Sequence, residues 1–242
     1  SITSTKSPVL NFDYTKCILF KDLVGYYDVY YVDNKINPAK QNGDSWATAF
    51  NTINAARNQV IENRIKNHTN KPALIAIASG HYTHTKEKAG NNEIISMYGL
   101  ASYLYDDTYF FGGYKNGDAC VNVQKNPNFY TTILDSEHKS SVITILANVK
   151  NVRFSHLTIQ NGLTKNADNK RDGGGISIGS NSRIILNQIT IKNSKSHNNG
   201  GCLAINNAEK VWITLAPRAT TEQTIATAVA RLRKAPNQWP EK

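Results

Sequence analysis

The chain has 242 residues, of which 40% are hydrophobic and 19% are charged, values that suit a folded protein with a sizeable core. Its 28 Lys and Arg residues outnumber its 18 Asp and Glu residues, and the formal net charge of +10 favours anionic partners. The cations are dispersed and form no basic stripe, so a specific nucleic-acid interface is not expected. No apolar stretch approaches the ~20 residues of a transmembrane helix, and the first ten residues do not have the pattern of a signal peptide.

Three cysteines, Cys17, Cys120 and Cys202, are widely separated along the chain. Their number excludes a framework of several disulfides, and their spacing does not fit a cysteine-based metal site. Two alternatives are open: one disulfide with one free thiol, or three buried thiols that act as small hydrophobic residues. We favour the second.

Residues 1–44 are predicted to form an irregular N-terminal segment with a first short strand at 29–32. A helix is predicted over 45–66, because its apolar residues recur at the three- and four-residue spacing that places them on one face. Asp44 or Ser45 is expected to cap its first turn, and Pro72 prevents the helix from continuing.

After this helix the sequence predicts short strands, rich in β-branched residues and closed by Gly, Asn, Asp or Ser. Residues 154–162 match residues 186–194 position by position at an offset of 32, and the Gly-Gly pairs at Gly173 and Gly200 lie 27 residues apart. Repeats of this length without a helical unit predict a stack of all-β coils. The Gly-Gly pairs lead into strands rather than helices, so we expect turns with positive φ there and not phosphate-binding loops.

The match between the two repeats also predicts which side chains face the core. Thr158 and Thr190 should face outward, while four aliphatic side chains should form inward ladders: Leu157, Ile159, Ile189 and Ile191. Asn161 and Asn193 follow the repeated strand and are expected at tight bends, where each amide binds the backbone and its stacked neighbour. The strands after the Gly-Gly pairs should be neighbours, with Ile176 and Ile178 close to residues 202–205.

The composition changes from Trp212 onward, where Ala, Thr and Arg replace Asn, Lys and Ile. Residues 211–242 are predicted to be a C-terminal helical tail with a helix over 220–234, because Thr220 and Gln223 form a capping box and an apolar stripe follows. Two interpretations are open: the tail is a cap that covers the last coil, or it is a segment foreign to the repeat.

Several of these segments, in this order, resemble those of right-handed parallel β-helix proteins: YYV, GDSWATAF, SGHYT, FFGGYKNG, TTILD and the Gly-Gly coils, over roughly residues 29–210. Within this superfold the chain is most similar to bacterial surface proteins of the polymorphic outer-membrane-protein and autotransporter-passenger kind. The resemblance implies an all-β solenoid over 45–210 whose N-terminal end is capped by the predicted helix. It also implies a secreted or cell-surface location.

Candidate binding residues are sought on the outward faces of the coils. If these faces form a groove, we expect it to be lined by Asp135, Arg153, Asp172 and Arg183. Aromatic residues cluster between positions 103 and 114. Phe110 and Phe111 are expected in the core, whereas three tyrosines are candidates for stacking on sugars or for protein contacts: Tyr103, Tyr105 and Tyr114.

His81 and His84 do not predict a metal site, because two residues at this spacing in a strand or turn project to opposite faces and no Cys or carboxylate cluster completes the set. Neither a metal nor a cofactor is expected. The function favoured is an adhesin-like binding or structural module without catalytic chemistry, whose partner is a glycan or a host- or cell-surface protein. The alternative is a polysaccharide lyase or glycoside hydrolase acting on an acidic glycan, although no recognisable catalytic constellation is seen.

Overall fold

The computed structural model describes residues 16–90, 92–98, 101–122, 130–164, 172–197, 200–215 and 228–231. Parallel β-strands make up most of this part of the chain, and helices are few. Its helices are α1 (Phe20–Leu23) and α2 (Ile53–Asn67), with 3-10 turns at Trp46–Thr48 and Ser102–Tyr105. Its strands are β1 (Asp28–Val32), β2 (Ala73–Ala78), β3 (Gly80–Thr83), β4 (Ile95–Met97), β5 (Thr108–Tyr114), β6 (Thr132–Asp135), β7 (Ile143–Ile145), β8 (Lys150–Ser155), β9 (Leu157–Gln160), β10 (Ile176–Ile178), β11 (Arg183–Lys192), β12 (Leu203–Asn206), β13 (Lys210–Leu215) and β14 (Ala228–Arg231).

Nine strands form one continuous parallel sheet that bends at β11. The first part of β11 pairs with β8 and β13 and belongs to the first arm, with the order β1-β2-β5-β8-β11-β13. The last part of β11 pairs with β9 and belongs to the second arm, with the order β3-β6-β9-β11. Gln188, between the two parts, has a left-handed backbone with φ of 53°. The other strands form a five-stranded parallel sheet with the order β4-β7-β10-β12-β14.

The register of these strands confirms both offsets predicted from the sequence. Leu186 lies opposite Phe154 and Ile191 lies opposite Ile159, at the offset of 32. Ile176 lies opposite Leu203, so the strands that follow the two Gly-Gly pairs are neighbours. Gly173 (φ 83°) and Gly200 (φ 65°) are both left-handed, which confirms the predicted turns.

The core lies between the sheets and is built from columns of side chains at equivalent strand positions. The longest buried column runs across the first arm and consists of Tyr30, Ile75, Phe110, Phe154 and Leu186. Of the predicted ladders, Leu157, Ile159 and Ile189 are buried and Ile191 is half-buried against the same core. Thr158 and Thr190 are half-buried at the alternate, outward positions, as predicted.

The helix predicted over 45–66 is present, but α2 begins only at Ile53. Ser45 instead caps the 3-10 turn at Trp46–Thr48, and Thr52 caps α2 by accepting a hydrogen bond from the Ala55 backbone N at 3.2 Å. The helix ends at Asn67, because His68 takes a left-handed conformation with φ of 47°. Its buried face packs against β1 and β2.

A second apolar cluster lies on the outer face of β1, β2 and β5 and is covered by residues 16–27, which include α1. Phe20 packs edge-on against the rings of Tyr31, Trp46 and Tyr114. Cys17 is disulfide-bonded to Cys120, and Cys202 is a half-buried thiol. The alternative of three buried thiols is therefore wrong, because the packing of this segment against residues 118–122 brings two distant cysteines together.

The predicted C-terminal helix is wrong at residues 228–231, which form β14. This strand pairs in parallel with Leu203–Asn206 of β12. An open sheet edge presents unpaired backbone groups, and satisfying them outweighs a weak helical pattern. The rest of the range 220–234 lies outside the described residues. The strand β13 pairs with β11, so parallel pairing continues beyond residue 210.

Candidate functional site

Two of the predicted groove residues lie on one surface. Arg153 on β8 and Arg183 on β11 occupy neighbouring strands of the first arm. Their immediate neighbours Val152 and Ile184 are buried in the core, so alternation along the strand places both arginines outward. Asp135 ends β6 of the second arm and Asp172 is half-buried at the turn before Gly173, so the structure does not bring all four residues together.

The three predicted tyrosines have different environments. Tyr103 is 62% exposed, and Tyr105 is half-buried with its hydroxyl donating to the Tyr98 backbone O at 3.1 Å. Tyr114 is fully buried under the N-terminal segment, and its hydroxyl donates to the Val121 backbone O at 2.6 Å. The prediction that Tyr114 contacts a ligand is therefore corrected, because this side chain belongs to the outer apolar cluster.

A row of cations crosses the outward surface of the first arm. Lys150, Arg183 and Lys210 lie opposite one another on β8, β11 and β13. Adjacent strands of a sheet are about 4.8 Å apart, so the row places one cation on each successive strand. Arg183 is about half exposed, with 47% of its side chain accessible, and Lys210 is exposed.

A second row lies two positions further along β11 and β13, and three positions further along β8, where the register shifts. Arg153 lies opposite Ile185, which lies opposite Trp212. The Trp212 side chain is 44% exposed, and the Lys210 ammonium lies 4.4 Å from its ring centroid. We call the surface formed by Lys150, Arg153, Arg183, Lys210 and Trp212 the cationic face.

The carboxylate of Glu209 contacts two of the side-chain cations of this face. It forms a close ion pair with Lys150, and its Oε1 lies 3.8 Å from the Nε of Arg183. The hydrogen bond from Lys150 is the main reason why the pKa of Glu209 is below its ordinary value, so Glu209 is ionised at neutral pH. Glu209 holds Lys150 in place across two strands, and Lys210 and the outer part of Arg183 remain exposed beside it.

The carboxylate of Asp135 is held by hydrogen bonds within the second arm. Its Oδ2 accepts hydrogen bonds from His81 Nε2 at 2.8 Å and Gln160 Nε2 at 2.7 Å, and its Oδ1 accepts from Asn161 Nδ2 and the Glu137 backbone N. Burial alone would raise the pKa of Asp135, but these hydrogen bonds outweigh burial and bring the pKa to about 2. The carboxylate thus links three neighbouring strands.

Asn161 and Asn193 both have left-handed backbones, with φ of 55° and 52°, which confirms the predicted bends. The amide of Asn161 donates to Asp135 on the preceding strand. Asn161 therefore contacts a residue of the neighbouring strand, as expected, but this residue is an aspartate and not a second asparagine. His84 is buried and hydrogen-bonds the Asn92 backbone O, while His81 contacts Asp135. Across the described residues, no group of three or more His, Cys, Asp and Glu could hold a metal ion.

Sequence reasoning missed Lys150, Lys210 and Trp212. The signal for Lys210 was available, since it follows Arg183 at the offset of 27 shown by the Gly-Gly pairs. The predicted helical tail over 211–242 left no strand that would place Lys210 beside Arg183. Lys150 could not be found by an offset alone, since a register shift separates its pairing with Arg183 from that of Val152 with Ile184.

None of the helices in the described part of the chain has the length and hydropathy needed to cross a bilayer. Comparison with protein-family models, with curated proteins and with solved structures found no match to the chain.

Proposed function

We propose that this chain is a right-handed parallel β-helix of a secreted or cell-surface protein, and that it is a binding module for an acidic glycan. One observation carries the proposal: Lys150, Arg183 and Lys210 lie side by side on three parallel strands, next to the exposed ring of Trp212. No catalytic step is part of the proposed function.

The strand order supports the β-helix. The chain passes through the first arm, the second arm and the five-stranded sheet in turn, as β2-β3-β4, then β5-β6-β7, then β8-β9-β10. Each of these strands pairs in parallel with its equivalent in the next group, with β2 next to β5, β3 next to β6 and β4 next to β7. This is the pairing expected of stacked coils.

The chemistry of the cationic face favours a polymer that carries carboxylates or sulfates. A chain that runs across the strands meets a Lys or Arg on each of three strands, and both residue types bind such anions by charge-assisted hydrogen bonds. The Trp212 ring offers an apolar surface for the face of a sugar ring. The net charge of +10 would also attract a polyanion from a distance.

The Cys17–Cys120 disulfide supports a location outside the reducing cytosol, since disulfides persist in secreted, periplasmic and surface proteins. The alternative of a lyase or hydrolase is less well supported. Asp135, with a pKa of about 2, is ionised at neutral pH and cannot donate a proton to a leaving group.

A direct test compares polygalacturonate with its methyl-esterified form, which has the same backbone but no charge. We expect binding to the acidic polymer that weakens as salt is added, because salt screens exposed charges, and much weaker binding to the ester. Equal binding to both polymers would refute the proposal. Reducing ends and unsaturated products are measured in the same samples. Depolymerisation that Arg153→Ala or Arg183→Ala abolishes would favour the enzyme alternative instead.

A further inference from the structure

A cleft of about 460 Å³ lies between the first turns of α2 and the segment that connects β3 to the 3-10 turn at Ser102–Tyr105. Its volume is within the range of small-molecule sites. The side of the cleft formed by α2 includes Asn54, Arg57 and Asn58, and the opposite side includes Glu87, Asn92 and Tyr105. The cationic face is on different strands, so the cleft is a separate feature.

Three of the four charged groups of the cleft, Glu87, Arg57 and Glu93, already have hydrogen-bond partners, although the buried Nε of Arg57 has none among the described residues. Glu87 accepts hydrogen bonds from the backbone N of Ile53 at 2.9 Å and from that of Asn54 at 3.0 Å, and so holds the start of α2. Arg57 donates to the Ser96 backbone O at 2.8 Å and to Asn58 Oδ1 at 3.1 Å. Glu93 Oε2 accepts from the hydroxyls of Ser96 and Tyr98.

The side-chain amides at the mouth of the cleft keep groups that have no partner among the described residues. Asn54 donates its Nδ2 to the Glu87 backbone O but its Oδ1 accepts no hydrogen bond, and Asn58 accepts through Oδ1 while its Nδ2 donates none. The side-chain amide of Asn92 makes no hydrogen bond, since only its backbone O is used, by His84. Donors and acceptors for a ligand are thus supplied by neutral amides.

Two tyrosines complete the lining. The hydroxyl of Tyr105 donates to the Tyr98 backbone O at 3.1 Å, so the Tyr105 ring is held against the segment that contains Tyr98. Aromatic rings offer flat apolar surfaces to the C–H faces of a sugar, while neutral amides donate to and accept from its hydroxyls. Arg57 and Lys88 lie beside Glu87 and Glu93, and burial raises the pKa of Glu87 to about 7, so the net charge of the lining at neutral pH is small.

We infer that this cleft binds a neutral saccharide unit of one or two rings, at a site distinct from the cationic face. The hydroxyls of the sugar hydrogen-bond Asn54, Asn58 and Asn92, and one face of a ring packs on Tyr105. The hydrogen bonds from Asn54 to the Glu87 backbone O and from Arg57 to Asn58 hold two of these amides in place before a sugar binds.

Saturation-transfer NMR on the whole chain tests this inference with four neutral probes: methyl β-glucoside, methyl β-galactoside, N-acetylglucosamine and lactose. Glucuronate serves as the charged counterpart. We expect transfer to at least one neutral sugar, and its titrated affinity should fall about fivefold in Asn58→Ala and in Asn92→Ala, the effect of one lost hydrogen bond of about 1 kcal/mol. Asn67→Ala, an exposed asparagine at the other end of α2, is the matched control and should bind normally.

The inference is overturned if no neutral sugar shows transfer, if both cleft variants bind as the unaltered chain does, or if glucuronate binds as tightly as the neutral sugars. If Asn58→Ala does not fold, Asn58→Asp removes the same donor beside Arg57 and is used in its place. A variant that lacks the exposed cations Arg183 and Lys210 should bind the neutral sugar normally. This last comparison separates failure of the cleft from failure of the cationic face.

Discussion

The guanidinium carbon of Arg153 lies 4.7 Å from the centroid of the Tyr109 ring on the neighbouring strand. The Nε of Arg153 also donates to Asn151, whose Nδ2 donates to the Tyr109 hydroxyl at 3.0 Å. Arg153 is therefore held by packing and hydrogen bonds within the cationic face. Arg183 and Lys210, which are more exposed, are the cations best placed to contact a glycan.

The Asp135 network should make the fold sensitive to acid. The pKa of Asp135 is lowered from 3.8 to about 2 in the folded state, so its contribution to stability is present above about pH 4 and is lost as the pH falls toward 2. Asp135→Asn should lower the free energy of unfolding at pH 7 by about 2 kcal/mol, since one pKa unit is about 1.4 kcal/mol. Urea unfolding at several pH values measures both effects.

The exposed Asp22 on α1 provides the matched control for this experiment. Asp22→Asn should leave the free energy of unfolding and its decline below pH 4 nearly unchanged. Equal loss of stability in the two variants would contradict a specific role of the hydrogen bonds from His81, Gln160 and Asn161.

Glu87 should make the free energy of unfolding depend on pH in the opposite direction, and at higher pH. Burial is the main cause that raises its pKa from 4.5 to about 7, in spite of the hydrogen bonds from Ile53 and Asn54. The folded state holds the Glu87 proton more tightly than the unfolded state does. The contribution of Glu87 to the free energy of unfolding is therefore fully present below about pH 4.5 and is lost as the pH rises to about 7, a decline of up to about 3 kcal/mol. Glu87→Gln should remove this decline, whereas Glu62→Gln, on the exposed side of α2, should retain it. A decline of equal size in both variants would show that Glu87 is not its source.

The turn at Gly173 should tolerate no side chain. An added Cβ would lie 2.3 Å from the Ile176 backbone O, and φ is +83°. Gly90 has φ of +64° but open space, and Gly25 has open space without a positive φ. We expect Gly25→Ala to be nearly neutral, Gly90→Ala to cost about 1 kcal/mol, and Gly173→Ala to cost clearly more. Thermal unfolding of the three variants measures this order, and a Gly173→Ala variant as stable as Gly90→Ala would contradict the close approach.

Removal of the Cys17–Cys120 disulfide should destabilise the chain by about 3 kcal/mol, because the bridge closes a long loop in the unfolded state. The double variant Cys17→Ser, Cys120→Ser should also bind more of a hydrophobic dye, since residues 16–27 cover the outer apolar cluster. Cys202→Ser is the control and should keep the low dye binding of the unaltered chain. If the double variant unfolds at the same denaturant concentration as the control, the bridge does not secure this segment.

The repeat could be predicted from the sequence because the same short pattern of residues occurs at two places in the chain. The pairs Phe154 with Leu186 and Ile176 with Leu203 are at equivalent positions of neighbouring strands, so matching residues occupy matching environments. The position of α2 was also visible from its spacing. Its start was not, because Glu87, 34 residues away, supplies acceptors for the backbone of its first turn.

Contacts between distant segments could not be predicted. The side chain of Tyr114 is buried because residues 16–27 cover it, and nothing near Tyr114 in the sequence indicates that cover. Residues 228–231 form a strand because β12 has an edge to which they pair, although their own pattern is weakly helical. Asn58 and Asn92 line the same cleft but come from two separate segments, so no local sequence motif indicates the cleft.

The most direct test of the proposed function compares two variants that lose the same charge at different places. Arg183→Ala with Lys210→Ala removes two exposed cations from the cationic face, and Lys66→Ala with Lys86→Ala removes two exposed cations elsewhere. Isothermal titration with polygalacturonate at one fixed ionic strength should show about a tenfold loss of affinity for the first variant, at up to about 1 kcal/mol per exposed charge, and little change for the second. Equal losses in the two variants, or none in the first, would contradict a glycan site on this face.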